Sequence, residues 1–319
     1  MRQKREIRKR KIEKQEIGKR KRENREIGKR KRSKEKESRQ EYRIVLFIFL
    51  SIVCVLILVV LWERSCEKEA HRMPTEKWKS LDGVLHGQEK LRGEKLTQEE
   101  VLLLEKQTGL CEKTVRELYR QNRMEEFYDL QKTYFGEIKT ACSRTTILTC
   151  EERIVDEQGK TTDGMKIPVV EDGDILITNC SHFLGWRNGH AAIVVDAGNR
   201  QILEARAIGQ PSAAGSLDAW ETYPSFLILR LKGAEEEFRR QIAEYAKENL
   251  IGIPYRLTAG IWRERSVREG TQCAHLVWSA YRQFGIVLNR NSLGIVTPES
   301  LADSEQLMVV QQYGTDREF

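Results

Sequence analysis

The residue with the most chemistry to offer is Cys273. It follows a Gly270-Thr271-Gln272 turn and opens a run carrying Leu276, Val277, Ala280, Tyr281 and Phe284 before Gly285, a helical spacing with a glycine stop. In the first turn of a helix, unpaired N–H groups and the helix dipole stabilise a thiolate, the form of cysteine that attacks carbonyls. The plainer alternative is an inert core thiol, because free cysteine is among the most often buried residues. A nucleophilic cysteine also needs a base that returns a proton to the leaving group, usually histidine. The sequence holds His71, His86, His182, His190 and His275. His275 lies two residues past Cys273, about 200° around a helix, and so faces elsewhere. No later histidine exists, so the base must come from upstream.

His190 is the best candidate. It begins the apolar run Gly189-His190-Ala191-Ala192-Ile193-Val194-Val195, whose small neighbours leave room for a substrate. The next apolar segment, Ile202-Leu203-Glu204-Ala205, carries an acid. A simple hairpin through 196–200 pairs Val194 with Ile202 and Ala192 with Glu204. His190 and Glu204 then share a face as diagonal neighbours, which completes a nucleophile, base and orienting acid. A register slip of one residue would separate them, and either side chain has a purely structural alternative. His182 competes with His190 but reads as part of a 179–186 loop.

These residues need elements to hold them. Short β-branched segments at 174–178, 190–196, 201–205 and 226–229 read as strands, helices are expected over 235–250 and from Cys273 to Gly285, and Thr297-Pro298 opens a last short helix. The order is that of an α+β domain. Upstream, Thr97-Gln98-Glu99-Glu100 is a capping box, followed by helical spacing through Val115, Leu118, Phe127, Leu130 and Tyr134. A helical module is expected over 97–165, ahead of a catalytic-type domain over 166–319.

Charge separates the rest. The chain has 55 Lys+Arg and 48 Asp+Glu, but residues 1–43 hold 21 basic and 8 acidic residues and 44–62 hold none. The remainder is net acidic, so the basic pI says nothing about what the main domain binds. Residues 44–62 are long enough to span a bilayer. No small-x-small cleavage site follows, so the segment is expected to stay as an anchor. The positive-inside rule leaves 1–43 cytoplasmic and exports the domain, past a 63–96 juxtamembrane spacer. The tail repeats Arg-Glu-Ile or Gln-Glu-Ile every ten residues, at Ile7, Ile17 and Ile27. Ten residues turn a helix by about 1000°, so these side chains form no stripe. A solvated polycation attracted to anionic lipid headgroups is expected. Nucleic-acid binding is disfavoured, since no aromatic residue interleaves the charges before Tyr42. Seven cysteines in so long a chain make no disulfide framework.

Three stretches resemble a known family. Glu171-Asp172-Gly173-Asp174-Ile175-Leu176, Gly189-His190-Ala191-Ala192-Ile193-Val194 and Leu203-Glu204-Ala205 look like the N-terminal half of circularly permuted NlpC/P60 hydrolases. Gly252-Ile253-Pro254-Tyr255 and Gln272-Cys273-Ala274-His275-Leu276-Val277 resemble its cysteine half. The likeness covers roughly 168–314 and is nearest the YiiX-like branch, permuted papain-fold enzymes in which histidine precedes cysteine. It implies a small antiparallel sheet with packed helices, Cys273 as nucleophile, His190 as base and Glu204 as orienting partner. It further implies Tyr255 lining the site and the Cys273 N–H helping to form an oxyanion hole. Many members carry Ser-Gly after the cysteine where this chain has Ala274-His275, a difference that bears on the substrate pocket.

The expected function is a membrane-anchored thiol hydrolase that cleaves an amide, favouring cell-wall peptides, without metal or cofactor. A lipid acyl hydrolase or acyltransferase on the same residues, or a non-catalytic binding module, are the alternatives.

Overall fold

A computed structural model describes residues 39–40, 42–59, 71–86, 95–259, 266–288 and 295–315. The basic repeat, residues 63–70 and 87–94 of the 63–96 spacer, and the last residues of the expected 44–62 span lie outside these. The chain divides into two units, Met1–Ser65 and Cys66–Phe319. In the first, helix α1 (Tyr42–Val59) has 18 residues at a mean hydropathy of 2.9, long and apolar enough to cross a membrane.

The second unit is α+β. A single turn, α2 (Asp82–Leu85), precedes α3 (Gln98–Thr108), α4 (Glu112–Arg120) and α5 (Met124–Tyr134). Thr97 and Glu100 form the expected capping box. The helices bury Val101, Leu104, Val115, Leu118, Phe127 and Leu130 in one core. The helical stretch stops there. Where a helical module was expected to run to 165, β1 (Lys139–Arg144) and β2 (Thr149–Val155) form a hairpin. With β4 (Ser181–Phe183) and β5 (Trp186–Arg187) it makes a four-stranded antiparallel sheet. The β1 sequence Lys-Thr-Ala-Cys-Ser-Arg is exposed throughout, so it carries no alternation of apolar and polar residues from which a strand is read.

The main sheet has six strands: β3 (Ile175–Thr178), β6 (His190–Asp196), β7 (Gln201–Glu204), β8 (Ala213–Ser216), β9 (Phe226–Leu231) and β10 (Leu307–Tyr313). Their spatial order is β10-β9-β3-β6-β7-β8. The β6–β7 register is the expected one, Ala192 opposite Glu204 and Val194 opposite Ile202. Both faces are covered. Leu176, Ala192, Val194, Ile202 and Ile228 join the core of α3, α4 and α5. The alternate residues Ile175, Ile193, Val195, Leu203 and Leu229 pack with α6 (Glu236–Asn249) and α7 (Cys273–Arg282). A short helix, α8 (Pro298–Ala302), leads into β10. Each fully buried aliphatic side chain contributes about 1.5–3 kcal/mol, so two-sided burial holds β3 and β6 in one register.

The helices reach the sheet edge through one tight crossing. Gly109 caps α3 with φ +71, accepts a hydrogen bond from the Gln312 N–H at 2.8 Å, and leaves no space for a Cβ, which would lie 2.2 Å from the Gln312 carbonyl oxygen. Gly109→Ala therefore combines left-handed strain with a backbone clash. It should lower the thermal midpoint by more than about 5 °C, measured by circular dichroism, whereas Gly159→Ala, in open space, should cost much less.

Candidate active site

Cys273 owes its place to the two ends of α7. At the C-terminal part, the Tyr281 hydroxyl donates to the Gly173 carbonyl just before β3. At the N-terminus, Gln272 is the cap. Its Oε1 accepts from the Ala274 N–H at 2.9 Å and its Nε2 donates to the Val296 carbonyl at 2.8 Å. Gly270, at φ +147, makes the turn into the helix. The Cys273 thiol, 3 % exposed, lies 3.4 Å from Gln272 Oε1.

His190 begins β6 and is buried, its Nε2 2.8 Å from Glu204 Oε2. Cys273 lies close enough to act on the ionisation of the same ring. The three residues read from the sequence thus meet, although 83 positions separate His190 from Cys273. The ring also stacks on Trp220, with centroids 5.6 Å apart at 24°, a face that favours a cation. Burial works against a charged ring here, but the hydrogen bonds to Cys273 and Glu204 outweigh it and raise His190 to about 10. An imidazolium held through neutral pH is the state that pairs with a thiolate and can later protonate a leaving group.

Behind it runs a chain of alternating charge. Burial pushes the Glu204 carboxyl up, yet His190, by hydrogen bond and charge, and then Arg206 hold it below the usual range. Arg206 Nε lies 3.7 Å from Glu204 Oε1, and its Nη2 is 2.9 Å from Glu151 Oε2. Arg153 binds the same Glu151 oxygen and lays its guanidinium 3.6 Å over the Tyr223 ring.

Tyr255 is bridged through its backbone to Thr271, two residues before Cys273. Burial first, and then the charge of Cys273, push its hydroxyl pKa up, which puts the tyrosine within electrostatic reach of the thiol. His275 is elsewhere, as its helical position requires: its Nδ1 lies 3.2 Å from Thr271 Oγ1 and its ring stacks on Trp278. Burial lowers its pKa to about 4, so it is neutral at physiological pH. His182, expected in a loop, stands in β4, its Nε2 2.7 Å from Glu152 Oε1 and sharing that carboxylate with Arg187. It is committed within the smaller sheet.

Sequence reasoning missed Gln272, Trp220, Arg206, Glu151 and Arg153. Arg206, two residues past Glu204, was open to notice; Glu151 and Arg153 were hidden with the unrecognised β2. Among the described residues, no group of three or more His, Cys, Asp or Glu is arranged to hold a metal ion.

No protein-family model matches the chain, and no curated protein does. It is similar to a solved structure described as the metalloprotein yiiX from Escherichia coli O157:H7. The superposition has 14 % identity and a TM-score of 0.35, covering 44 % of this chain and 97 % of that one. So loose an overlap assigns neither fold family nor chemistry.

The His190 ionisation is directly testable by alkylating the chain with iodoacetamide and mapping Cys273 by mass spectrometry. Wild-type Cys273 should react faster near neutral pH than the thiol of His190→Ala, because the His190 cation, held to about 10, stands beside it. In His190→Ala the rate should climb with pH like an ordinary thiol, about 8.5. Parallel profiles for the two chains would show that the histidine does not ionise the cysteine.

Proposed function

We propose that this chain is a membrane-anchored cysteine hydrolase of the permuted papain (NlpC/P60-like) type that cleaves an amide bond. The observation that carries the reading is His190, buried, bonded to the Glu204 carboxylate and close enough to Cys273 for the thiol to act on its ionisation. Helix α1 and the charge step before it support the anchor, with the N-terminus cytoplasmic and the domain exported. The basic tail then faces anionic headgroups of the inner leaflet. On that side of the membrane the favoured substrate is a cell-wall peptide.

The reaction runs in two halves. The Cys273 sulfur attacks the scissile carbonyl carbon, and the oxygen that becomes negative lies toward the N-terminus of α7, where the Cys273 N–H is an available donor. His190 gives its proton to the leaving nitrogen as the C–N bond breaks, leaving a thioester on Cys273. The neutral imidazole then takes a proton from water as that water attacks the thioester carbonyl. Breaking the C–S bond releases the acid and restores the pair. Glu204 holds the ring's orientation and its charge, and Arg206 steadies Glu204.

The experiment is hydrolysis of defined cell-wall peptide fragments, followed by product mass, with folding checked in each variant. Cys273→Ala should fall to background, because no adjacent Ser or Cys can replace the nucleophile. His190→Ala should lose roughly 10²–10⁴-fold. Glu204→Gln keeps a hydrogen bond but not the charge, so its loss should be intermediate, while His275→Ala should leave the chemical step intact. Full turnover in folded His190→Ala would refute the assignment.

A further inference from the structure

Two hairpin tips of the smaller sheet end side by side and carry apolar side chains into solvent. Ile147 is 93 % exposed, Leu184 57 %, Trp186 47 % and Leu148 40 %. The Leu184 N–H donates to the Leu148 carbonyl at 2.8 Å, so the tips form one apex. No acidic residue occurs in 143–149 or 181–188; exposed Arg144 flanks the apolar residues, whereas Arg187 is paired with Glu152.

The tip of β4–β5 is also strained in an informative way. Phe183 pairs with Trp186, so Leu184 and Gly185 make a two-residue turn, with φ +53 and φ +87. Asn-Gly or Gly-Gly adopts such a turn at little cost, whereas a leucine in the left-handed region does not. Leu184 gains no burial in return. A strained, exposed leucine beside an exposed tryptophan is favourable where the apex leaves water.

We propose that these tips are a foot that dips into the lipid–water interface of the bilayer to which the chain is anchored. Tryptophan beside exposed Arg144 and aliphatic tips suits that interface, apolar parts inward and the Arg144 guanidinium at the headgroups. The tether is short: from Val59 to His71, which hydrogen-bonds the Pro224 carbonyl, the chain extends at most about 40 Å. A domain of this length is roughly 45 Å across. Lipid is therefore always close, and a foot too weak to bind membranes alone is sufficient on a tethered chain.

The foot also bears on the proposed hydrolase, whose anchor it presupposes. Asn188 and Gly189 both donate to the Ser181 carbonyl at the root of the same hairpin, and His190 follows. At about 3.3 Å per residue, His190 stands roughly 15 Å from the turn. The substrate amide is then one presented at the membrane surface, such as a lipid-linked peptide.

The test uses the full chain reconstituted in vesicles with brominated acyl chains, which quench tryptophan. Trp62, in the expected span, and the exposed Trp78 and Trp186 are the candidates for quenching, so Trp186→Phe should remove a distinct share of it that Trp78→Phe leaves in place. Ile147→Asp, which leaves Trp186 in place, should also reduce it. Equal quenching in wild type and Trp186→Phe overturns the foot, as does cross-linking of the tips between two copies with Trp186 unquenched. An alkaline wash separates the two ideas. A chain that washes off the vesicles was never anchored, and the foot fails with the anchor; one that stays but keeps Trp186 unquenched fails in the foot alone.

Discussion

Burying His190 as a cation is the constraint on which the second unit depends. A charged ring in a protein interior is costly unless paired and hydrogen-bonded. Glu204 supplies the pairing, but a buried carboxylate has the same need, met by Arg206. Arg206 is shared with Glu151 and Glu151 with Arg153, which ends on the Tyr223 ring. Sign alternates at every step from β6 through the segment after β7 to β2. The smaller sheet, whose outer strand is fully exposed, is thereby tied to the site by electrostatics.

A second buried network positions the helix that carries Cys273. Asp174 is fully buried and binds Arg230 through both carboxylate oxygens, at 2.7 and 2.6 Å. Glu171 joins Arg230, Arg239 of α6 and Lys113 of α4. Such clusters add little net stability over an apolar core, but removing one member strands a charge. This one pins the turn before β3, where Gly173 receives the Tyr281 hydroxyl. The Glu171-Asp172-Gly173-Asp174 motif thus reaches Cys273 through α7 without touching it.

How much of this was legible depends on how each residue announces itself. The β6–β7 pairing could be read because apolar residues bounded a short loop and fixed the register, and with it the His190–Glu204 contact. The helix carrying Cys273 was readable from its spacing and its glycine stop. The β1–β2 hairpin gave no such signal: Lys139 to Arg144 is polar on both faces, and a strand held only by backbone pairing leaves no periodic trace. With β2 unseen, the counter-charges Glu151 and Arg153 could not be connected to a histidine some 40 residues later. β8 was lost for a related reason, its Ala-Ala-Gly-Ser lacking the bulk that marks a strand. Trp220 needed the fold itself, since ring stacking has no sequence signature.

The order of the halves has a consequence in time. His190, Glu204 and their counter-ions come earlier in the chain than Cys273, and β10, which closes the sheet edge beside Gly109, comes later still. A growing chain holds an incomplete site until nearly all of it has emerged. In the proposed topology the N-terminus stays behind while the residues after α1 cross as they are made, so Cys273 joins His190 only at the far side. For the proposed hydrolase, latency during synthesis is then a property of chain order.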